Sequence, residues 1–261
     1  MTDRVGIPRA APVIEARGIQ KRFGSVEALR GADLEVRAGE VLALVGDNGA
    51  GKSTLAKVIC GALAQDSGEL FFAGKPVLLQ SIRHALDLGV ATVYQDLAQA
   101  PDLSIPDNVY LGRYTRASGW LGRLGVIDRR AMHRQTNESL VQLGITLRSL
   151  SVPVRQLSGG QRQAVAIVRA VMWARSAILM DEPTAALGTR QTAIVYDTIL
   201  AAARRGLAVV VISHDLPRML KLADRMAIMR HGRVIAVEET PSLTLSRVVG
   251  LMLGATDVPA Q

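Results

Sequence analysis

The densest chemistry in this 261-residue chain lies in Gly46-Asp47-Asn48-Gly49-Ala50-Gly51-Lys52-Ser53-Thr54. The spacing fits G-x-x-x-x-G-K-[ST], a loop built to hold phosphate. Glycines at 46, 49 and 51 permit tight curvature, so that several backbone N–H groups can converge on one anion. The helix that opens near Gly51 adds its unpaired N–H groups and the positive end of its dipole. Lys52 is placed to neutralise the outer phosphates of a nucleotide, and the Ser53 hydroxyl to ligate Mg²⁺.

Other groups gather around that chemistry. Ser176 to Met180 is an apolar run that ends in Asp181 and Glu182. Successive strand residues point opposite ways, so the two carboxylates are expected to have different jobs. Asp181 is placed to hold Mg²⁺, directly or through water, and Glu182 to orient or deprotonate an attacking water. A second buried run, Leu207 to Ile212, ends in Ser213-His214-Asp215. Its end faces the same crevice if both strands share a sheet, which lets His214 stabilise charge on the γ-phosphate. Gln95 also ends a strand, where its amide could touch Mg²⁺ or the attacking water. Lys52, Glu182 and His214 are the candidate catalytic groups. Leu157-Ser158-Gly159-Gly160-Gln161 forms a second glycine-rich helix start, with Ser158 as its N-cap. Two glycines directly after a cap weaken a helix but allow a phosphate to approach closely.

These residues need a frame. Val41 to Val45 is uninterruptedly apolar, as a strand buried on both faces requires. From Val13 to Val36 apolar and polar residues alternate, with a turn at Phe23-Gly24-Ser25, and predict a small antiparallel sheet. Helices are expected over Lys52 to Leu63, from the cap Ser81 to Leu88, Gly160 to Ala174, Thr189 to Arg204, Leu216 to Leu222 and Ser242 to Leu253. Strands are expected over Glu69 to Phe72, Val90 to Tyr94, Ala177 to Met180 and Leu207 to Ile212, with a hairpin from Met226 to Val237. Strands alternating with helices imply an α/β fold with a parallel sheet covered on both faces. From residue 96 strand-like runs vanish and helical spacing appears in Arg129 to Leu143, which predicts a helical subdomain over about 96–170 inserted in the core. The single α/β domain is expected to span 13–254, between a disordered lead (1–12) and a flexible tail (255–261).

Composition narrows the class. At 49% hydrophobic and 21% charged residues the chain can bury a substantial core. No apolar run reaches the roughly 18 residues of a membrane span, and the first residues lack the apolar centre of a secretion signal. One cysteine, Cys60, excludes an internal disulfide and a cysteine-cluster metal site, and cytosolic residence is expected. A net charge of +8 fits nucleic acid, an anionic membrane or a solvated basic exterior. The basic residues are scattered and aromatics make up 3%, which disfavours stacking on single strands, so no nucleic-acid partner is expected.

Leu157 to Gln161 is identical to the signature sequence of the ATP-binding cassette (ABC) ATPases, and it lies between the phosphate loop and the Asp181-Glu182 strand in that family's order. From about Val13 to Val237 the chain resembles this family. The resemblance implies a P-loop NTPase fold: a RecA-like parallel core, an N-terminal antiparallel β subdomain and the inserted helical subdomain. It implies that Gln95 is the Q-loop glutamine, that His214 is the switch histidine, and that Phe23 stacks on adenine. It further implies ATP and Mg²⁺ as cofactors and a head-to-tail homodimer. There Ser158, Gly159, Gly160 and Gln161 of one copy close over ATP on Lys52 and Ser53 of the other, and movement passes to integral membrane permease subunits. Gly46 to Gly51, Val93-Tyr94-Gln95-Asp96-Leu97 and Arg162 to Ile167 resemble the monosaccharide importers, and the single cassette is similar to the short fructose-type ATPase subunits. That subgroup implies a peripheral position on the cytoplasmic face of the inner membrane and, indirectly, a sugar-binding protein. The alternatives are an importer ATPase for a non-sugar solute, or a soluble ABC ATPase of DNA repair or the ribosome, which only the basic charge supports. One departure is Gly188, where many cassettes carry an aspartate facing the partner's phosphate loop.

Overall fold

The computed structural model describes residues 11–94, 97–185 and 187–254. Gln95, residues 1–10 of the expected lead and the tail from 255 lie outside the described residues; the lead ends before residue 12, because Pro12 already pairs with Arg37. Burial alternates along β1 (Pro12–Phe23) and β2 (Val26–Arg37), which pair antiparallel. Every residue of β3 (Val41–Gly46) is buried, and the chain then turns into α1 (Lys52–Ile59). That helix stops short of the expected Leu63, because Gly61 at φ +71 reverses the chain against the Ser81 backbone. β4 (Ser67–Phe72) and β5 (Lys75–Pro76) complete a four-stranded sheet of order β2-β1-β4-β5.

α2 (Ile82–Asp87), capped by the Ser81 hydroxyl, leads into β6 (Val90–Val93). Three helices follow, α3 (Ile105–Val109), α4 (Gly119–Arg123) and α5 (Arg129–Gln142), before α6 (Gly159–Trp173) and β7 (Ala177–Asp181). α7 (Thr189–Arg204), β8 (Ala208–Ile212), α8 (Leu216–Leu222), β9 (Arg225–Arg230) and β10 (Arg233–Glu239) complete the second sheet. The last helix, α9 (Leu245–Leu253), begins later than Ser242, because Thr244 is its N-cap and Thr240–Ser242 forms a separate 3₁₀ turn.

The larger sheet has order β10-β9-β3-β8-β7-β6, parallel throughout except for the β9–β10 hairpin. Its central strands divide their side chains between two cores. Val41, Ala43 and Val45 face α6, α7 and the helical region, whereas Leu42 and Leu44 face α1 and the antiparallel sheet. That alternation explains why β3 reads as unbroken apolar sequence: both faces are covered. The helical region between β6 and β7 has no core of its own. Ile105, Val109, Met132, Leu140 and Val154 pack in the same cluster as Val165 and Val168 of α6.

The start of β3 is pinned electrostatically. Arg225 on β9 donates to both carboxylate oxygens of Glu40, at 3.1 and 3.2 Å, and both residues are buried. Asp224 accepts from the Val41 N–H at 2.9 Å. Removing one partner strands a buried charge, so Arg225→Ala is expected to cost about 3 kcal/mol of unfolding free energy, read from the urea midpoint. Arg134→Ala, which breaks an exposed pair with Glu138, should leave the midpoint unchanged.

Candidate functional site

β3 delivers the loop at the carboxyl edge of the parallel sheet, where ligands of such folds collect. Gly46, the last residue of β3, lies beside Met229 of β9. A Cβ on Gly46 would stand 2.2 Å from the Met229 carbonyl oxygen, so the strand exit accepts only glycine. Gly51, at φ +104, is the N-cap of α1, and a Cβ there would stand 2.7 Å from the Ala28 carbonyl oxygen. Gly49 takes φ +81 in open space, so its requirement is conformational alone.

Lys52 is buried and curls back into its own loop. Its ammonium donates to the carbonyls of Gly46 at 2.8 Å and Asp47 at 2.9 Å. Burial draws its pKa below the ordinary lysine value, while Glu182, Asp181 and Asp47 pull it upward.

A cavity of about 430 Å³ joins this loop to the other strand ends. Asn48, Gly49, Gly51, Lys52, Ser53 and Thr54 line one side. Asp181, Glu182, Ile212 and His214 line another, and Phe23, Val26, Glu27 and Ala28 a third. Phe23 is half exposed on a wall that an adenine ring could cover. Sequence patterning missed Val26, Glu27 and Ala28, although Val26 is strongly exposed just past the Phe23 turn. Its place in a hairpin, opposite Phe23, was the available signal.

The expectation that Asp181 and Glu182 point apart is corrected by the backbone. Asp181 ends β7, but Glu182 takes φ +49, off the strand, and both carboxylates line the same cavity. A non-glycine residue in this conformation is strained, and the Glu182 N–H is held by the Ile212 carbonyl at 3.0 Å. His214 Nε2 lies 3.2 Å from Glu182 Oε1, an ion-pair distance, yet that buried oxygen accepts no hydrogen bond among the described residues. Burial pushes the Glu182 carboxyl above its ordinary pKa; His214 and Lys52 pull it back and Asp181 adds to the rise.

Ser158 to Gln161 do not line this cavity. Ser158 caps α6 and forms a reciprocal capping box with Gln161: Gln161 N–H donates to Ser158 Oγ at 3.3 Å, and Ser158 N–H to Gln161 Oε1 at 3.0 Å. Leu157 and Gln161 border a separate depression with Thr146, Arg148 and Gln156. The two glycines have different causes. Gly160 is buried, and a Cβ there would strike the Gln191 side chain at 2.6 Å, whereas Gly159 has ordinary clearance beside Leu187. Gly160 is therefore required by packing of α6 on α7, in addition to any anion it approaches. Gly188 precedes α7 with open space where a Cβ would stand, so no steric demand explains it.

Ser53 and Asp181 present oxygen donors to one cavity. This set fits Mg²⁺, which takes one or two side-chain oxygens and completes its shell with phosphate and water.

A profile of the ABC transporter family matches residues 29–185. The chain is 44% identical to the fructose import ATP-binding protein FrcA of Rhizobium meliloti, over 96% of this chain and 97% of that one. It is 39% identical to the xylose/arabinose import ATP-binding protein XylG of Sulfolobus acidocaldarius, over 92% and 93%. The ribose import ATP-binding protein RbsA 2 of Rubrobacter xylanophilus is 42% identical, over 93% of this chain and 46% of its own length, so the chain spans about half of that relative. Among solved structures, an ATP-binding cassette of an ABC transporter in its ADP conformation superposes with a TM-score of 0.80 at 26% identity, covering 94% of this chain and 100% of that one.

The loop glycines separate two kinds of constraint. Gly46→Ala adds overlap with the Met229 carbonyl and should cost about 2–4 kcal/mol of stability without nucleotide. Gly49→Ala meets only the left-handed backbone penalty and should cost about 1–2 kcal/mol. Urea unfolding of both variants checks the order; equal costs would mean that β3 does not hold Gly46 against β9.

Proposed function

The chain belongs to the ABC transporter family, and we propose that it is the ATP-hydrolysing subunit that powers import of a monosaccharide. The observation that carries this reading is the convergence of the phosphate loop, Asp181, Glu182 and His214 on one cavity, with Phe23 at its outer wall. The relatives named for fructose and xylose/arabinose import match along nearly their whole length, and all three sugars are monosaccharides.

ATP lies with adenine against Phe23 and its phosphates in the cradle of Gly46, Asp47, Asn48, Gly49, Ala50, Gly51, Lys52, Ser53 and Thr54. Ser53 and Asp181 would hold Mg²⁺, with Gln95 as a further ligand, and the ion would supply charge neutralisation on the phosphate oxygens. Water attacks the γ-phosphorus in line, the bond to the bridging oxygen breaks, and ADP and phosphate leave. Glu182, which lines the cavity beside Lys52, takes the water's proton. His214, beside Glu182, stabilises the charge that develops on the γ-phosphoryl oxygens.

Ser158, Gly159, Gly160 and Gln161 stand apart from this cavity in their own chain, so they complete the site of a second copy in a head-to-tail homodimer. Closure and hydrolysis then move permease subunits in the inner membrane, from its cytoplasmic face, with a sugar-binding protein delivering solute on the other side. Among the described residues no helix is long and apolar enough to cross a membrane, which accords with a subunit that works through separate permease chains.

Glu182→Gln should abolish turnover and spare ATP binding, measured by phosphate release and nucleotide titration. A protonated carboxyl cannot accept a proton, so activity should be present above the Glu182 pKa and fall as pH drops through it, at a value above the ordinary 4.5. Hydrolysis by Glu182→Gln at the parent rate would remove Glu182 from the base role. The composite site has its own test. Lys52→Ala and Ser158→Arg should each be inactive, and mixing them should restore turnover, because one of the two sites in the mixed dimer is then intact. A mixture as inactive as its parts would deny Ser158 a role in trans.

A further inference from the structure

The region between α3 and α5 carries a feature that the nucleotide cavity does not use. From Thr115 to Asp128 the chain leaves the body and returns as a closed excursion. Asp128 N–H donates to the Thr115 carbonyl and Ala117 N–H to the Val126 carbonyl, both at 2.8 Å, and Arg116 pairs with Ile127 as an isolated bridge. α4 forms the tip. Gly122 is fixed there by space, since a Cβ would collide with the Ala117 carbonyl oxygen.

The tip exposes what soluble surfaces usually cover. Of the eight residues from Trp120 to Ile127, five are large exposed hydrophobics: Trp120, Leu121, Leu124, Val126 and Ile127. Trp120 is 69% exposed and Leu124 71%, and they share one face of the turn at i and i+4. Single exposed apolar residues are ordinary, but a contiguous set marks an interaction surface. The charge beside it has one sign: from Arg113 to Ile127 there are three arginines and no acidic residue. Arg113 pairs with Asp87, while Arg116 and Arg123 have no carboxylate within ion-pair distance among the described residues. Asp128, the first acid beyond the tip, is occupied in capping α5.

We propose that this tip docks on an anionic lipid bilayer, with Trp120 and Leu124 in the interfacial layer and Arg116 and Arg123 on lipid phosphates. The polarity pattern selects this occupant. A tryptophan body with a polar N–H suits the interface between headgroups and acyl chains, and arginines flanking it suit a negatively charged surface. Lipid contact rests on the reading that the chain works at a membrane, but it is independent of the solute and of Glu182 chemistry. It would hold the helical region at the bilayer surface beside the permease.

The test uses the full purified chain, with vesicles of phosphatidylglycerol and phosphatidylcholine and with vesicles of phosphatidylcholine alone. The sequence has two tryptophans, and Trp173 is partly buried against Tyr110, so Trp173→Phe leaves Trp120 as the only reporter. On anionic vesicles its emission should move to shorter wavelength and be quenched by brominated lipid. Combined Trp120→Ala and Leu124→Ala should weaken vesicle binding at least about tenfold, and Arg116→Gln with Arg123→Gln should flatten its salt dependence. ATPase activity in solution should be unchanged in all these variants, which separates lipid docking from the nucleotide site. Vesicle binding that survives the double alanine variant, binding as strong to phosphatidylcholine alone, or an unquenched Trp120 overturns the proposal. Loss of binding to purified permease in detergent, with vesicle binding intact, also overturns it and assigns the tip to a protein partner.

Discussion

The buried ammonium of Lys52 is the interaction on which the rest of the site depends. A cation out of water is costly unless oxygens surround it, and here the loop itself supplies two, the carbonyls of Gly46 and Asp47. These bonds bend the loop around its own lysine before any ligand arrives. The curvature demands glycine at the strand exit, and it leaves the N–H groups at the head of α1 turned to the cavity. Asp181 and Glu182 face the same space and keep the lysine charged against its desolvation. In the proposed site a triphosphate would replace these neutral carbonyl partners with full negative charge, so the loop would be held ready and not locked.

The sheet makes that arrangement possible. β3, β8 and β7 are neighbours, all parallel, so the phosphate loop, His214 and the Asp181-Glu182 pair emerge from one edge although they are separated widely in sequence. The split of alternate side chains between two cores fixes the register of each strand, since a slip by one residue would exchange the two faces. Glu182 is the exception that uses this rigidity. Its positive φ is sustained because the strand before it and the Ile212 carbonyl beside it allow no relaxation. Strain placed there aims a carboxylate into the cavity that regular strand geometry would have turned away.

Most of this frame was legible from periodicity. Unbroken apolar runs marked β3, β7 and β8, while Ser81, Ser158 and Gly188 or their neighbours marked helix starts. What could not be read is what depends on partners distant in sequence. Strand order placed β3 between β8 and β9, and no local pattern encodes that. The shared orientation of Asp181 and Glu182 depends on one backbone angle. Gly160 was legible as a glycine that invites an anion, but its contact with Gln191 requires α7 to be in place. Cys60 has its thiol 3.3 Å from the Tyr94 hydroxyl and so ties the end of α1 to the residue that follows β6, a contact no local pattern encodes. The tip around Trp120 escaped for a different reason: its turn is too short to show a period, and scattered arginines read as ordinary solvated surface.

The two glycine-rich helix starts open onto different surroundings, as the proposed head-to-tail pairing requires. The start of α1 opens onto strand ends that carry carboxylates and a histidine. The start of α6 opens onto a depression lined by its own helical region, away from any such group. Its capping box already satisfies the Ser158 and Gln161 groups locally, so the signature needs no ligand to be stable. In the proposed dimer a second copy would then be closed or released by nucleotide without unfolding either helix start. The same helical region carries the basic, apolar tip at its far limb, and its core is continuous with α6 through Val165 and Val168. Any displacement of α6 in the proposed closure would therefore carry the helical region with it, because those side chains have no separate core in which to stay behind.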